Sequence, residues 1–98
     1  MSDHALEAAE VFRLLGDATR LRILLACLED ARNVGDIAAA VGASASLVSH
    51  HLRLLRAVRL VRADRRGRHV FYSADDDHVR RIIADMMVHV AEPREGED

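Results

Sequence analysis

Near the end of the chain an acid, two histidines and a second acid stand at intervals that could hold a divalent metal: Asp76, His78, His89 and Glu92. Two imidazoles and two carboxylates without sulfur suit Zn(II) or Co(II) in a tetrahedral shell better than soft Cu(I), Cd(II) or Pb(II). At about 100° per residue, the eleven steps from His78 to His89 close to about three helical turns, so both share a face and Glu92 joins them. The same count separates the histidines by about 16 Å along the axis, whereas ligands of one zinc lie about 2 Å from it. One helix therefore cannot bring both to one ion. Two antiparallel copies can, with Asp76 and His78 of one subunit meeting His89 and Glu92 of its partner, twice by two-fold symmetry. The competing reading is a polar surface on a terminal helix. Val79, Ile82, Ile83, Met86, Met87 and Val90 form a separate stripe about 120° away, which argues against two satisfied core histidines. Asp75 and Asp77 read as helix-start carboxylates that suit the dipole.

The elements that must position these residues are those of one small domain. Ninety-eight residues bury a modest core, and with Phe12, Phe71 and Tyr72 the only aromatics that core must be Leu, Ile, Val and Ala. A second copy could bury the remaining apolar surface. All fourteen basic residues are Arg, and the net charge is −2. Seven of them (Arg53, Arg56, Arg59, Arg62, Arg65, Arg66, Arg68) fall between positions 53 and 68 with one acid, Asp64. A basic middle between acidic ends suits a phosphate partner. The lone Cys27 forms no disulfide within a chain and no cysteine zinc cage, and reads as a small buried hydrophobe. No segment reads as a signal sequence or membrane span, so a cytoplasmic location is expected.

Apolar spacing predicts a first helix over Ala5 to Leu15, stopped by Gly16, and a second, capped by Asp17, over "ATRLRILLACLE". "VGDIAAAVG" is a short helix closed by Gly42. "ASASLVSHHLRLLRAV" follows with Ser44 as its cap and Leu47, Val48, Leu52 and Leu55 on one side. Two helices joined by a Gly-bearing turn make a helix-turn-helix. "RLVRADRRGRHVFYSA" then changes period to a β-hairpin turning at "DRRG", and a closing helix runs from near Asp75 to about Ala91, ended by Pro93. The order predicts a mainly α fold with one β-hairpin, a winged helix-turn-helix in a single domain over 1–98, paired as a homodimer through its terminal helices. Residues 1–8 are a flexible arm or the start of the first helix, and 93–98 an acidic tail.

Ser44, Ser46, Ser49 and His50 populate the first turns of the second helix of the pair, where short hydroxyls and an imidazole can approach phosphates and base edges. Arg53 and Arg56 follow, and Arg65, Arg66 and Arg68 on the hairpin can reach a neighbouring groove or backbone. Double-stranded operator DNA is the expected partner. Singly, Ser44 could only cap and each Arg could only solvate a face; as a cluster they favour phosphate binding.

The segments "LLGDATRLRILLAC", "NVGDIAAAVGASASLVSHHLRLLRAVRLV" and "RRGRHVFYSADDDHV" resemble the ArsR/SmtB family of metal-sensing repressors, from about Ala9 to Glu92. The resemblance implies a homodimer that binds an operator when metal-free and leaves it when metal binds. It places Ser46, Ser49 and His50 at DNA-contact positions, with Ala45 where a polar contact is common. It also implies an inter-subunit site of the pattern Asp-x-His, His eleven residues on, then His or Glu three further, which Asp76, His78, His89 and Glu92 match. The family's thiolate site is not implied, because Asn33 stands where a cysteine is expected. In some relatives an N-terminal arm completes a five- or six-ligand Ni(II) or Co(II) shell. His4, with Asp3 or the terminal amine, could do so, unless the arm is disordered. The resemblance further suggests a bond from the His89 ring to backbone near Arg59 as the coupling. Two rivals stand beside this reading: a DNA-binding dimer with a structural metal or a non-metal inducer, and a zinc hydrolase. Four protein ligands leave no open position, and no phosphate loop or nucleophile elbow is present, which weighs against an enzyme.

Overall fold

A computed structural model describes residues 3–94 as five helices and one hairpin. In chain order they are α1 (His4–Leu15), α2 (Ala18–Ala26), α3 (Val34–Val41), α4 (Ala45–Ala57), β1 (Val61–Arg66), β2 (His69–Ala74) and α5 (Asp77–Ala91). Every helix starts the same way. Asp3, Asp17, Asn33, Ser44 and Asp76 sit at the caps, and each side chain accepts from the backbone N–H three residues on. Each thereby satisfies one amide that the helix cannot.

The core forms where α2, α3 and α4 meet. Ile23, Leu24 and Cys27 from α2 and its cap, Ile37 from α3, and Val48, Leu52 and Leu55 from α4 are fully buried, joined by Leu60 and Val61 at the entry to β1. From α5 only Ile83 is buried. Leu6 and Phe12 on α1, and Ile82, Met86, Met87, Val88 and Val90 on α5, remain exposed. The stripe expected on the closing helix thus has one member in this core and most of the rest outside it.

The turn between α3 and α4 depends on Gly42, whose φ of 70° is left-handed and costs a side-chain-bearing residue steric strain. Arg59 adopts φ 59° just past α4, the only non-glycine among the described residues with positive φ. There the Leu60 amide reaches back to the Leu55 carbonyl at 2.9 Å, closing α4, while the Leu60 carbonyl accepts from Asp75 at 3.0 Å. The exit from α4 is therefore tied to the approach to α5.

Three expectations need correction. The second helix ends at Ala26 rather than Glu29, because the chain turns at Cys27 to bury Leu28 and carry Arg32 to the hairpin. Arg32 and Tyr72 exchange backbone bonds of 2.9 and 2.8 Å, a bridge that no local pattern signalled. The hairpin does not turn at "DRRG": Asp64, Arg65 and Arg66 pair with Phe71, Val70 and His69 within the ladder. Its two loop residues are Gly67 and Arg68, and Gly67 supplies the positive φ (63°) that tight hairpins require. Finally, Leu47 does not join Val48, Leu52 and Leu55 in the core but is exposed.

Cys27 donates weakly to the Ile23 and Leu24 carbonyls, and burial pushes its thiol up to about 11. A thiol-specific reagent at neutral pH should therefore leave the native protein unmodified and label it stoichiometrically in denaturant. Rapid labelling of the folded protein would contradict this packing.

Candidate functional site

Burying Val48, Leu52 and Leu55 fixes which side of α4 looks outward. At about 100° per residue, Ser46, His50 and Arg53 cluster within about 60° of one another on the face opposite those three, and all are exposed. Ser49, half-buried, and Arg56, exposed, flank that face together. Ser44 uses its Oγ to accept from the Leu47 amide at 3.1 Å, so its capping role is occupied, and its hydroxyl hydrogen remains a donor.

On the hairpin, directly paired residues point to the same side. Arg66 and His69 therefore face one way, Arg65 and Val70 the other, with Arg68 in the loop between. The Arg66 guanidinium lies 5.0 Å from the centre of the Phe71 ring, a cation–π contact that holds it along the wing. Thus the wing presents its cations on two sides rather than as one patch.

One supporting contact was not legible in the sequence. Arg20 Nε donates to His51 Nδ1 at 3.2 Å, its Nη1 donates to the Leu14 carbonyl at 3.0 Å, and its backbone N–H donates to Asp17 Oδ1 at 2.9 Å. A single arginine thus joins the end of α1, the start of α2 and the buried side of α4. Because Nδ1 accepts, the proton of neutral His51 sits on Nε2. Burial, then the neighbouring Arg20, lower the His51 pKa from 6.5; Asp17 opposes this and His50 adds to it. The doublet "HH" gave no sign that one ring faces outward and the other inward.

The four candidate metal ligands lie at the two ends of α5. Asp76 caps the helix through Oδ1, accepting from Val79 at 2.9 Å, while its Oδ2 stands 3.8 Å from His78 Nδ1. His78 is almost fully exposed. At the other end α5 stops at Ala91, and Glu92 is its C-cap with extended backbone and a bond to the His89 carbonyl at 3.2 Å. His89 and Glu92 line one shallow depression with Val90, Pro93 and Arg94. Among the described residues of one chain no three His, Cys, Asp or Glu side chains gather closely enough to hold a metal. These donors suit a divalent ion as two separate, solvent-facing pairs. Asp77 belongs to neither pair: Arg80 and Arg81 each reach it at 2.7 Å, and its carboxyl is held low chiefly by the Arg80 hydrogen bond. The Asn33 amide oxygen caps α3, accepting from Asp36 at 2.8 Å.

At the N-terminus, His4 opens α1 and lies 3.7 Å from Glu7, while Asp3 caps the helix by accepting from Leu6 at 3.1 Å. The terminal amine falls outside the described residues. So does the tail from position 95 onward.

The family model for bacterial regulatory proteins of the arsR family matches residues 17–63, which hold α2, α3, α4 and the start of the wing. A transcriptional repressor SmtB homolog from Synechocystis sp. is 43% identical over 90 residues, spanning 92% of this chain and 68% of that protein. The chain belongs to the ArsR/SmtB family. Two solved structures share its fold. The homodimeric winged helix-turn-helix DNA-binding domain of Mb0332 from Mycobacterium bovis, described as a possible ArsR-family transcriptional regulator, superposes with a TM-score of 0.85 at 31% identity, covering 100% of this chain and 94% of that one. The cadmium metal-sensor CMTR from Mycobacterium tuberculosis gives a TM-score of 0.73 at 37% identity, covering 92% and 94%. The winged helix-turn-helix expected from the sequence is thus the fold of this ArsR/SmtB chain.

Two outcomes check these assignments. Replacing Asp76 with Ala should cost the metal-free protein about 1 kcal/mol in urea unfolding through loss of the cap. Replacing exposed His89 with Ala should stay within about 0.5 kcal/mol, and equal losses would contradict the capping role. Since the folded-state pKa of His51 is depressed, its contribution to stability is complete above 6.5 and is lost as pH falls through the folded value. The wild-type urea midpoint should therefore fall more steeply than that of His51→Gln, whose amide oxygen accepts from Arg20 without titrating, and parallel curves would refute it.

Proposed function

We propose that this protein is a metal-responsive transcriptional repressor. As a homodimer it binds operator DNA when metal-free and releases it when Zn(II) or Co(II), with Ni(II) as a third candidate, occupies sites shared between the α5 helices. Asp76 and His78 of one subunit and His89 and Glu92 of the other would hold each ion. The observation that carries this reading is the state of α5. It buries Ile83 alone, exposes Ile82, Met86, Met87, Val88 and Val90, and holds one His–carboxylate pair at each end. An apolar surface of that kind on a small domain calls for a covering partner. A second copy laid antiparallel supplies it and completes both ligand sets by symmetry. Bound metal would supply coordination bonds that fix the relative placement of the two α5 helices.

The DNA-binding arm of the proposal uses Ser44, Ser46, Ser49, His50, Arg53 and Arg56 of α4 in the major groove. Arg65, Arg66 and Arg68 of the wing serve on adjacent backbone or minor groove. A two-fold dimer must set its α4 helices about 34 Å apart to meet successive turns of one duplex face. Change at the α5 pair reaches α4 through the core that Ile83 shares with Val48, Leu52 and Leu55, and through the segment between the helices. The bonds from Leu60 to Leu55 and from Asp75 to Leu60 bring the two ends of that segment together beneath the hairpin, with left-handed Arg59 at the joint. Coupling between the two sites is reciprocal, so operator DNA should weaken metal binding by the factor with which metal weakens operator binding.

The test is an operator titration with Zn(II), Co(II) and Ni(II). His89→Ala should bind operator with wild-type affinity and lose release by zinc. His4→Ala should keep the zinc response if α1 starts as a plain helix, and lose the nickel response if the arm completes a larger shell. Release of His89→Ala by zinc would place the sensor elsewhere. Wild-type binding indifferent to every metal would favour a structural metal or another inducer.

A further inference from the structure

Seven of the eight large hydrophobic side chains exposed among the described residues lie on α1 or α5; the eighth is Leu47. It stands in the first turn of α4, 43% exposed, in a different element from the surface that dimerisation covers. Its amide is bonded to Ser44 Oγ, so the helix cap fixes where its Cα lies. Helical side chains lean toward the N-terminus and cover the turn before their own Cα, which points Leu47 toward the N-terminal end of α4. By the same angular count used for the outward face, it stands about 60° round from His50, on the flank opposite Ser49 and Arg56. The N-terminal residues of a recognition helix are the ones that meet base edges.

In the major groove the bases offer donors, acceptors and a single apolar feature, the C5-methyl of thymine. Leucine has nothing to exchange with the polar edges. We propose that Leu47 is a specificity-determining residue that reads thymine by packing on its 5-methyl group. The inference rests on the DNA-binding function proposed above and adds to it a base preference and the residue that sets it. Contact between the leucine methyls and the thymine methyl removes apolar surface from water. Cytosine at the same place lacks the methyl and offers leucine no apolar group to pack on, so the discrimination lies in the methyl contact. Ser46, His50 and Arg53, exposed on the adjoining face, contribute polar contacts that position the helix and do not duplicate this one.

The metal-free full-length protein is first used to select a binding site from a random duplex library. Each thymine of that site is then replaced by uracil, which removes the methyl alone, and dissociation constants are measured for wild type, Leu47→Ala and Leu47→Met. At one thymine per half-site, uracil should weaken wild-type binding about fourfold. Leu47→Ala should bind thymine and uracil duplexes equally at that position, and Leu47→Met, which keeps an apolar contact of similar volume, should retain a preference for thymine. A uracil-to-thymine ratio unchanged by Leu47→Ala at every position overturns the assignment while leaving DNA binding intact. Failure of the wild type to select any sequence overturns both.

Discussion

Burial of one face of α4 is the constraint on which the other features of this molecule depend. Val48, Leu52 and Leu55 lie against Ile23, Leu24 and Ile37, and nothing on those positions remains exposed. A core of aliphatic side chains is short-range and non-directional, so it fixes the helix by filling space rather than by pairing polar groups. Once that face is committed, Ser46, His50 and Arg53 have only solvent or a ligand to meet. Arg20 then adds direction to a contact that packing alone would leave loose: it ties His51 to the end of α1 through one guanidinium.

The terminal helices lie outside that constraint. α5 enters the core through Ile83, and its first turn is steadied by Arg80 and Arg81 on Asp77, with Arg80 also 3.7 Å from Glu29. These are exposed pairs, individually weak and screened by salt. Ile83, with half-buried Val79 and Ala84 beside it, is what α5 gives to the core, so its exposed apolar stripe adds stability only when something covers it. The four donors proposed to hold metal thus sit at the two ends of an element that gives the core one fully committed side chain.

The helices were legible because each carries a local signal. Asp17 and Ser44 announce helix starts, Gly42 a turn, and the spacing of Val48, Leu52 and Leu55 a buried side. The proposed metal pattern rests on helical geometry alone: the eleven-residue interval needs no tertiary information to put His78 and His89 on one face of α5. What escaped depended on partners distant in sequence. The Arg32–Tyr72 bridge joins residues forty apart, and the Arg20–His51 bond joins residues thirty-one apart. Leu47 escaped for a subtler reason. Its neighbour Val48 is buried and its own type is apolar, yet at the edge of the buried arc one step of about 100° is enough to put it outside. At the wing, strand pairing outlasted the polar composition of Asp64, Arg65 and Arg66 because Gly67 allowed a two-residue loop.

The two carboxylates proposed to meet metal are not interchangeable in this fold. At Asp76, one oxygen closes the helix and the other faces His78, so a single short side chain holds both contacts from one rotamer. Glutamate there would reach further and cap poorly, whereas asparagine or serine would cap but give up the carboxylate, so aspartate alone does both. Glu92 sits past the end of α5, where its backbone makes the closing bond and its side chain carries no capping duty. Exchange for aspartate or histidine at that place leaves the helix as it is. Sequence drift among proteins of this fold should therefore be uneven along one ligand set, strict at the entrance of the last helix and permissive at its exit.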